Sequence, residues 1–541
     1  MGYLSLLIFL PLFFALVIWV LPKRFEPMFQ ALSIGVSAAQ VIISAALYYM
    51  YSLSPEGFRF AEHADWIYLQ LGTLGSLDID YFVAVDGLSV GLVLLTSIVM
   101  FIAAIASNEI KENKRGYFAL FNLLGTAVMG VFCALDFFLF YVFYELMLLP
   151  LYFLIGMWGG PNREYASVKF FIYTLFGSVF MLLVMAGLYF SVTDPGTGHH
   201  TFNMLHMMDE ANYSRDAIFS IGSEQAVLFG LPARLIGFAV LFIAFAIKIP
   251  VVPLHTWLPD AHVEAPTPIS IILAGILLKI GAYGIIRLCL GIFPDGQVYF
   301  SYWIGVIGMV SILYGAFNAL ASSDLKRMIA FSSISHMGFV VLGIASLTSE
   351  GLNGAVYQMI SHGVLSAMLF FIAGVLYNRV HDRYIPNFRG LALQMPRYTT
   401  FVVIAFFASL GLPGMSGFIG EVFTLMGAFK SESVNQLLPR WFAIVSATGI
   451  LFGAAYFLWT LQRMFFGARR FFGGEAWHRA LTDLSARELF VLLPLGLTTI
   501  ILGVYPSIIF DVTNLSMNTI ADHAYRSGSV YLNMLKVIFG L

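Results

Sequence analysis

Ionisable side chains stand inside apolar runs that are long enough to cross a membrane. They are Glu145, Lys248, Lys279, His336, His362 and Glu421. A charge near the middle of a membrane helix costs roughly 2.5–3.5 kcal/mol on insertion scales, so such residues usually have a function. Carboxylates, lysines and histidines in alternation can pass protons, because the charge of each group changes the proton affinity of its neighbour. These residue types therefore indicate proton movement through a membrane.

Lys248 stands at the start of a proline-rich segment, KIPVVPLHTWLPDAHVEAPTP. Pro250 has no N–H for the carbonyl of Ala246, so the helix should break just after Lys248. Lys248 would then lie at the negative C-terminal end of a half-helix, which stabilises its charge. We expect residues 248–254 to be non-helical and buried, because irregular backbone at membrane depth must face protein or water.

Glu421 follows a second interruption, SLGLPGMSGFIGE at 409–421. Here the carboxylate would lie at the positive N-terminal end of a half-helix, and again the charge matches the helix dipole. Residues 411–417 should also be non-helical and buried. A broken helix beside a membrane charge is typical of ion pathways in secondary transporters.

Each of these residues also has a structural interpretation. Glu145 could be a structural acid that pairs with another helix. In the functional interpretation, Lys248 lies within pairing distance of Glu145, and Lys279 lies deeper, towards the second half of the chain. His336 and His362 could be satisfied core residues, or they could relay protons between Lys279 and Glu421.

Three further polar residues have local explanations. Asp136 is expected to cap the fifth span, and His255 and His262 flank the proline-rich segment and should serve its folding.

Composition excludes a soluble enzyme. The 541 residues are 60% hydrophobic and 11% charged, whereas soluble domains carry about 25% charged residues. The net charge of -2 gives no reason to expect nucleic acid, and the two cysteines, Cys133 and Cys289, lie in apolar runs. The sequence contains no GxGxxG, P-loop, GxSxG or Cys/His cluster that would bind a redox cofactor, a nucleotide or a metal.

Apolar windows of membrane length predict an all-α integral membrane protein with about fourteen spans. Eighteen basic residues fall in the odd-numbered loops and eight in the even loops and tail. By the positive-inside rule, both termini should lie outside, which for a bacterial inner membrane is the periplasmic side. Of the 28 basic residues, only Lys248 and Lys279 remain within the spans.

The chain also looks internally doubled. Spans four to eight and nine to thirteen each contain a broken fourth member, and an odd number of spans per unit requires the second copy to be inverted. The predicted units are helices 1–3 (1–116), a first repeat (117–292), a second repeat (293–466), and helix 14 with a C-terminal tail (467–541).

Several long motifs carry a family resemblance. They are VDGLS (85–89), FYELMLLP (143–150), the proline-rich segment (248–268), ILLKIGAYG (276–284), SSDLKRMIAFSSISHMG (322–338) and GLPGMSGFIGE (411–421). The chain resembles the antiporter-like subunits of proton-translocating NADH:quinone oxidoreductase, respiratory complex I. The match spans nearly the whole chain and is most specific over about 80–470.

The resemblance implies a fold of fourteen helices with two inverted five-helix repeats. It makes Glu145 and Lys248 the acid and base of a first half-channel and Lys279 the central lysine. His336 and His362 become relay candidates, and Glu421 becomes the exit residue. NADH, flavin, iron–sulfur and quinone sites are expected in partner subunits, with none in this chain.

The subunit type follows from position 421. The related L and N types carry lysine at the broken twelfth helix, so Glu421 indicates the M type (chain 4), with L-type and N-type subunits as expected neighbours. The tail after about residue 510 is too short for the long lateral helix of the L type.

Three rival functions remain. A cation/proton antiporter subunit or a membrane-bound hydrogenase subunit shares these motifs, although the antiporter type would carry lysine at 421. A scaffold would tolerate neutralisation of the buried charges, and a solute transporter would need polar groups shaped for a substrate.

Overall fold

The computed structural model describes residues 2–70, 76–221, 227–228 and 230–539. Most of these residues are helical. The helices of the first part of the chain are α1 (Tyr3–Val20), α2 (Phe29–Ser52), α3 (Ser89–Ala106), α4 (Lys114–Cys133), α5 (Phe137–Leu146), α6 (Leu148–Trp158), α7 (Arg163–Tyr189), α8 (Met204–Met207), α9 (Ala233–Lys248), α10 (Trp257–Glu264), α11 (Thr267–Ile272), α12 (Leu278–Gly284) and α13 (Leu290–Ile292).

The helices of the second part continue in the same order. They are α14 (Pro294–Ala321), α15 (Leu325–Ala345), α16 (Ser349–Val380), α17 (Leu391–Gln394), α18 (Pro396–Ser409), α19 (Ser416–Val434), α20 (Trp441–Phe465), α21 (Gly474–Ala480), α22 (Ala486–Val504) and α23 (Ser507–Phe539). Two π-helical turns, Leu273–Leu277 and Ile285–Cys289, join α11, α12 and α13 into one long helix.

Twelve helical segments among the described residues are long and apolar enough to cross a membrane. They coincide with twelve of the fourteen windows expected from the sequence. The other two windows fall on interrupted helices, where α9 is followed by α10 and α18 by α19. The chain is therefore a mostly helical integral membrane protein.

Both predicted interruptions are non-helical, at 249–256 and at 410–415. After Lys248 the carbonyl of Ala246 accepts from Val251 at 3.1 Å, because Pro250 cannot donate. The indole of Trp257 donates to the free carbonyl of Ile247 at 2.8 Å. These two bonds satisfy carbonyls that the break would otherwise leave without partners.

The expectation that both interruptions are buried was wrong in part. Pro253 and residues 412–414 are exposed on the surface of the single chain. In the second interruption, Gly411 (φ +79°) and Gly414 (φ +91°) adopt the left-handed region that favours glycine. The chain turns there at its surface, while the segments next to the turn remain inside.

Three spans form the centre of the protein. The spans Thr267–Ile292, Leu325–Ala345 and Ser349–Val380 are completely buried over their most apolar windows. Of the other nine spans, Ser89–Glu109 and Lys114–Cys133 are also largely buried, and the remaining seven expose apolar side chains. Polar groups on the three central spans are therefore shielded from lipid.

The predicted all-α fold is mostly helical, and it also contains three small two-stranded sheets. The polar join at 51–86 contains an antiparallel hairpin of β1 (Arg59–Gln70) and β2 (Ser76–Val85). Two short ladders join β3 (Val227–Leu228) to β4 (Leu231–Pro232) and β5 (Phe388–Arg389) to β6 (Arg470–Phe471). The hairpin segments are too polar for a membrane span, yet they contain β-branched and aromatic residues that suit strands.

The C-terminal tail forms a single helix of 33 residues, α23, to which the sequence windows assigned no element. Polar residues interrupt its apolar stripe, so a search for membrane-length apolar runs does not detect it. Helix α23 lies across the starts of α3, α16 and α14. A Cβ on Gly87, just before α3, would come within 2.4 Å of the Val512 carbonyl, and Asn518 forms a hydrogen bond with Ser349 at the start of α16. A Cβ on Gly528 would come within 2.4 Å of the Pro294 carbonyl at the start of α14.

A buried ion pair joins α9 to α14. Arg234 donates to Asp295 at 2.8 Å and to Glu210 at 3.1 Å, and both Arg234 and Asp295 are almost fully inaccessible. The same guanidinium lies 5.9 Å from the ring centre of Tyr531 on α23. The cluster therefore connects the two halves of the chain with the C-terminal helix.

Replacing Arg234 with methionine should destabilise the protein by about 3–5 kcal/mol, because Asp295 would remain buried without its counter-charge. The measurement is the thermal midpoint of the detergent-solubilised protein. The double variant Arg234→Met, Asp295→Leu should recover much of the loss, because it removes the uncompensated carboxylate. Equal midpoints for the single and double variants would show that the loss has another origin.

Candidate functional site

Four of the predicted site residues form a continuous row in the second half of the chain. Lys279 Nζ lies 2.7 Å from His362 Nδ1. The His362 and His336 rings are 5.6 Å apart between centres, and His336 Nδ1 lies 3.0 Å from Glu421 Oε1. The first three residues belong to the three central spans, and α19 adds Glu421 from the side. The row is therefore enclosed by protein.

Lys279 lies between the two π-helical turns, a feature that the sequence did not reveal. A π-turn leaves carbonyls without their usual i+4 donors, and such turns often occur at functional sites. Lys279 Nζ donates to one of these carbonyls, that of Ala274, at 2.5 Å. The amine thus has a backbone acceptor on one side and an imidazole on the other.

Glycines bring the helices of this row close together. A Cβ on Gly363 would lie 3.0 Å from the carbonyl of Gly275, so α16 touches the π-turn beside Lys279. A Cβ on Gly420 would lie 2.2 Å from Gln358 Oε1, so α19 is equally close to α16. The first contact holds His362 beside Lys279, and the second holds the helix of Glu421 against the helix of His362.

Glu421 lies in the second turn of α19, which begins at Ser416. The dipole of α19 therefore stabilises the Glu421 carboxylate less than it would at the helix N-terminus, because the effect of the dipole falls off within the first turn. The carboxylate instead contacts the interruption itself, because a Cβ on Gly411 would lie 2.8 Å from Glu421 Oε2. Glu421 thus connects the histidine row to the second chain break.

Lys248 is the last residue of α9 and is fully buried, as expected from the break. Its ammonium lies 3.6 Å from the ring centre of Tyr144 and 3.4 Å from Met147 Sδ. Tyr144 lies in the last turns of α5, and Met147 lies in the turn between α5 and α6, where Pro150 cannot donate to the carbonyl of Leu146. No pattern in the sequence indicated that an aromatic face would contact this lysine.

Glu145 and Lys248 do not form an ion pair within 4.0 Å in the described part of the chain. They are close enough to interact electrostatically, and Glu145 Oε1 is buried without a hydrogen-bond partner. Glu145 is half-buried and shares a helix face with the exposed Leu149 and Phe153. The predicted acid–base pair is therefore adjacent but not in contact.

Two substitutions separate the role of the Tyr144 ring from the role of its hydroxyl. A desolvated cation–π contact contributes about 2 kcal/mol to holding an ammonium. Tyr144→Leu should therefore lower activity coupled to Lys248 several-fold, whereas Tyr144→Phe, which keeps the ring face, should stay near the parent level. The measurement is turnover normalised to assembled protein, and equal loss in both variants would assign the effect to the hydroxyl.

A cleft of about 480 Å³ opens on the side of the odd-numbered loops. Glu109, Glu264 and Lys326 line it, and Lys326 Nζ donates to the carbonyl of Ala265 at 3.0 Å. His262 is fully buried, stacks on Phe370 at 4.5 Å, and interacts electrostatically with both Lys326 and Lys279. Neither nitrogen of His262 has a hydrogen-bond partner among the described residues.

Two local expectations can be compared with the structure. Asp136 caps α5 by accepting from the N–H of Leu139 at 2.9 Å, as predicted. His255 lies in the first interruption and packs edge-on against Tyr314 at 4.9 Å.

Comparison with known proteins agrees with this geometry. Residues 134–454 match the family described as "NADH:quinone oxidoreductase/Mrp antiporter, TM". The chain belongs to this family. The matched region contains all six predicted site residues and both helix interruptions.

Relatives in this family match almost from end to end. A Rickettsia prowazekii protein named NADH-quinone oxidoreductase subunit M is 38% identical over 522 residues, which cover 96% of this chain and 98% of the relative. A Thermosynechococcus vestitus protein named NAD(P)H-quinone oxidoreductase chain 4 2 is 36% identical over 97% of this chain and 92% of the relative. The predicted resemblance to the M type, chain 4, is confirmed.

Solved structures share the fold. A chain of respiratory complex I from Thermus thermophilus with bound NADH superposes with a TM-score of 0.79 at 28% identity, covering 96% of this chain and 99% of that chain. A chain of the Mrp complex from Dietzia gives a TM-score of 0.77 at 21% identity, covering 98% and 99%, and shows the fold alone.

Proposed function

We propose that this chain is a proton-translocating membrane subunit of NADH:quinone oxidoreductase. The observation that supports this most strongly is the buried row from Lys279 through His362 and His336 to Glu421. Every member can bind and release a proton, and the row lies in a chain whose full-length relatives are named as subunits of that enzyme.

In this proposal the Lys279 ammonium donates its proton to His362 Nδ1, and the resulting imidazolium releases a proton from Nε2. No hydrogen bond joins the two histidine rings among the described residues, and His336 Nε2 has no partner there, so in this proposal a water between the rings carries the proton to His336. His336 then passes a proton from Nδ1 to Glu421 Oε1. Glu421 releases it at the second interruption, beside Gly411.

Entry uses the cleft on the side of the odd-numbered loops, which is lined by Glu109 and Lys326. Protons bind at Glu109 or Lys326 and reach Lys279 through His262, whose free ring nitrogens can take up and release a proton. In the first half, Glu145 moves towards or away from Lys248 and thereby changes the charge that Lys279 senses. Glu145 and Lys248 form no ion pair within 4.0 Å among the described residues, so in this proposal the pair forms in only part of the cycle.

The finer architecture is part of the same proposal. The twelve uninterrupted spans and two interrupted helices together make fourteen, with inverted repeats at 117–292 and 293–466. The basic odd loops lie in the cytoplasm of a bacterium, both termini lie in the periplasm, and the protein lies in the inner membrane. L-type and N-type subunits are its membrane neighbours.

The redox chemistry belongs to other subunits in this proposal. NADH, flavin, iron–sulfur clusters and quinone bind in partner chains, and this chain contributes proton movement alone. An antiporter subunit is the second candidate, because the family description includes Mrp antiporters. Glu421 favours the first candidate, since the antiporter type is expected to carry lysine there.

The test is to purify the complex through an affinity tag on this chain and reconstitute it in liposomes. We expect NADH:quinone reductase activity to co-purify and NADH to drive acidification of the vesicle interior, as reported by a pH-sensitive dye. Sodium–proton exchange without any NADH oxidation would instead identify the antiporter. Turnover and proton movement that both stay at the parent level in a charge-neutralised variant would identify a scaffold.

A further inference from the structure

A cleft of about 800 Å³ lies between the segment that precedes α17 and the end of α20. It is lined by three arginines and by aromatic rings. The arginines are Arg389 on β5, Arg463 in the last turn of α20 and Arg470 on β6. All three belong to the basic odd-numbered loops, and the proton row does not use them.

The two strand arginines face each other directly. Arg389 and Arg470 are partners in the β5–β6 ladder, so their side chains extend from the same face. Like charges directly opposite each other on neighbouring strands are destabilising. Among the described residues, Arg389, Arg463 and Arg470 have no carboxylate within 4.0 Å. The cleft therefore carries three positive charges that no carboxylate of the described chain neutralises, which favours binding of an anion.

The fold holds this arrangement in place. Gly390 (φ +73°) and Gly467 (φ +91°) make the turns beside the ladder, and a Cβ on Gly467 would lie 2.9 Å from Arg389 Nε. Phe388 stacks on Trp477 with ring centres 5.1 Å apart, which fixes the rear of the ladder. The arginines are thus supported by packing rather than carried on a free loop.

The cleft lies at the expected level of a membrane surface. Arg463 ends a helix of membrane length, and its guanidinium lies 4.4 Å from the ring centre of Trp459. Trp459 is 43% exposed and Phe472 is 81% exposed at the cleft. Tryptophan is enriched at the headgroup level of bilayers, and exposed phenylalanine beside it suits contact with lipid chains.

We propose that this cleft binds the phosphate headgroup of an anionic phospholipid. Guanidinium groups bind phosphate oxygens through paired N–H donors, and Arg389, Arg463 and Arg470 supply such donors at one point. Basic pockets between membrane helices on the cytoplasmic side are suited to anionic headgroups. The neighbouring Trp459 and Phe472 make a lipid the occupant that matches the site better than a free anion.

The test uses the full-length chain in whatever complex co-purifies with its tag, after detergent delipidation. Native mass spectrometry follows the titration with phosphatidylglycerol, and phosphatidylcholine and inorganic phosphate serve as separate arms. The test variant is Arg389→Gln, Arg470→Gln. The matched control is Arg24→Gln, Arg479→Gln, which removes two exposed charges from odd-numbered loops outside the cleft.

Removing both strand arginines should weaken phosphatidylglycerol binding about 30-fold. This estimate counts, for each arginine, the attraction of one basic side chain to an anionic membrane surface. The control should bind within about twofold of the parent, as expected for charges outside the site. If the glutamine variant does not accumulate, Arg389→Lys, Arg470→Lys keeps both charges but loses paired donation, and should still weaken binding several-fold.

Three results would overturn the lipid assignment. Equal weakening in the control would show a general surface-charge effect. Occupancy of the cleft by inorganic phosphate with the same arginine dependence would show a free-anion site. Loss of a co-purifying subunit in the glutamine variant, with lipid binding unchanged, would show that partner carboxylates occupy the cleft. Each outcome is independent of whether the chain translocates protons.

Discussion

Replacing Lys279 with methionine should lower NADH:quinone turnover to roughly a hundredth of the parent rate, the low end of the effect of removing a positioned proton carrier. The ammonium stands between Ala274 and His362, so no other group in the described row can deliver a proton to His362. Turnover should fall together with pumping, because in a coupled enzyme a blocked proton step also blocks electron transfer.

Methionine suits this test because it should not destabilise the fold, so a loss of turnover can be assigned to the missing ammonium. Lys279 is fully buried and has no carboxylate within 4.0 Å in the described part of the chain, so an apolar side chain of similar length should fit at least as stably. Lys430→Met is the matched control, because Lys430 is half-exposed and pairs with Glu350 at the surface. The control should retain turnover, since surface pairs contribute about 0–1 kcal/mol. Full turnover in Lys279→Met, with assembly shown on a native gel, would remove Lys279 from the pathway.

Replacing Glu421 with glutamine should have the second largest effect, a loss of about tenfold or more in turnover and pumping. Glutamine keeps the size of the side chain and can accept a hydrogen bond from His336 Nδ1, but it cannot carry a negative charge. The variant therefore tests charge alone. Turnover and proton translocation should be measured in membranes with equal amounts of assembled complex.

Glu421→Lys separates a switchable charge from a specific carboxylate. The L and N types are expected to carry lysine at this position, so partial activity in Glu421→Lys above that of Glu421→Gln would indicate a switchable charge. The helix dipole would oppose the cation by at most about 0.3–1 kcal/mol, and by less in the second turn of α19. Full activity in the glutamine variant would return Glu421 to a structural role.

The membrane spans and the two chain breaks could be predicted from the sequence because their causes are local. Membrane helices need long apolar runs, and Pro250 in the first break and the glycines with Pro413 in the second disfavour a helix locally. The six buried ionisable residues stood out for the same reason, since charge is rare in such runs. Four of them form the row that the structure shows.

The rest depends on contacts between distant segments. Tyr144 is placed over Lys248 by the packing of α5 against its neighbours, which no spacing in the sequence encodes. The π-turns around Lys279 require knowledge of backbone hydrogen bonds, and His262 gains its position from α16. The separation of Glu145 from Lys248 likewise depends on how α5 and α9 are placed relative to each other.

Elements outside the bilayer were missed for a different reason. A search for apolar runs detects membrane spans, but it does not detect the β1–β2 hairpin or α23, because both are too polar. Their stability comes from packing on the helix ends, as the contacts of Gly87 and Gly528 with α23 show. Periods of two or 3.6 residues in these segments would have indicated them.

The central claim is that protons pass along the buried row, and His362 is its only link between Lys279 and His336 among the described residues. The most direct measurement is the rate of proton translocation, together with NADH oxidation, in liposomes containing the His362→Leu complex. His523→Leu, at an exposed position of α23, is the control. The account predicts that both rates fall about tenfold or more in His362→Leu and stay near the parent in the control. Parent rates of both processes in His362→Leu would contradict it.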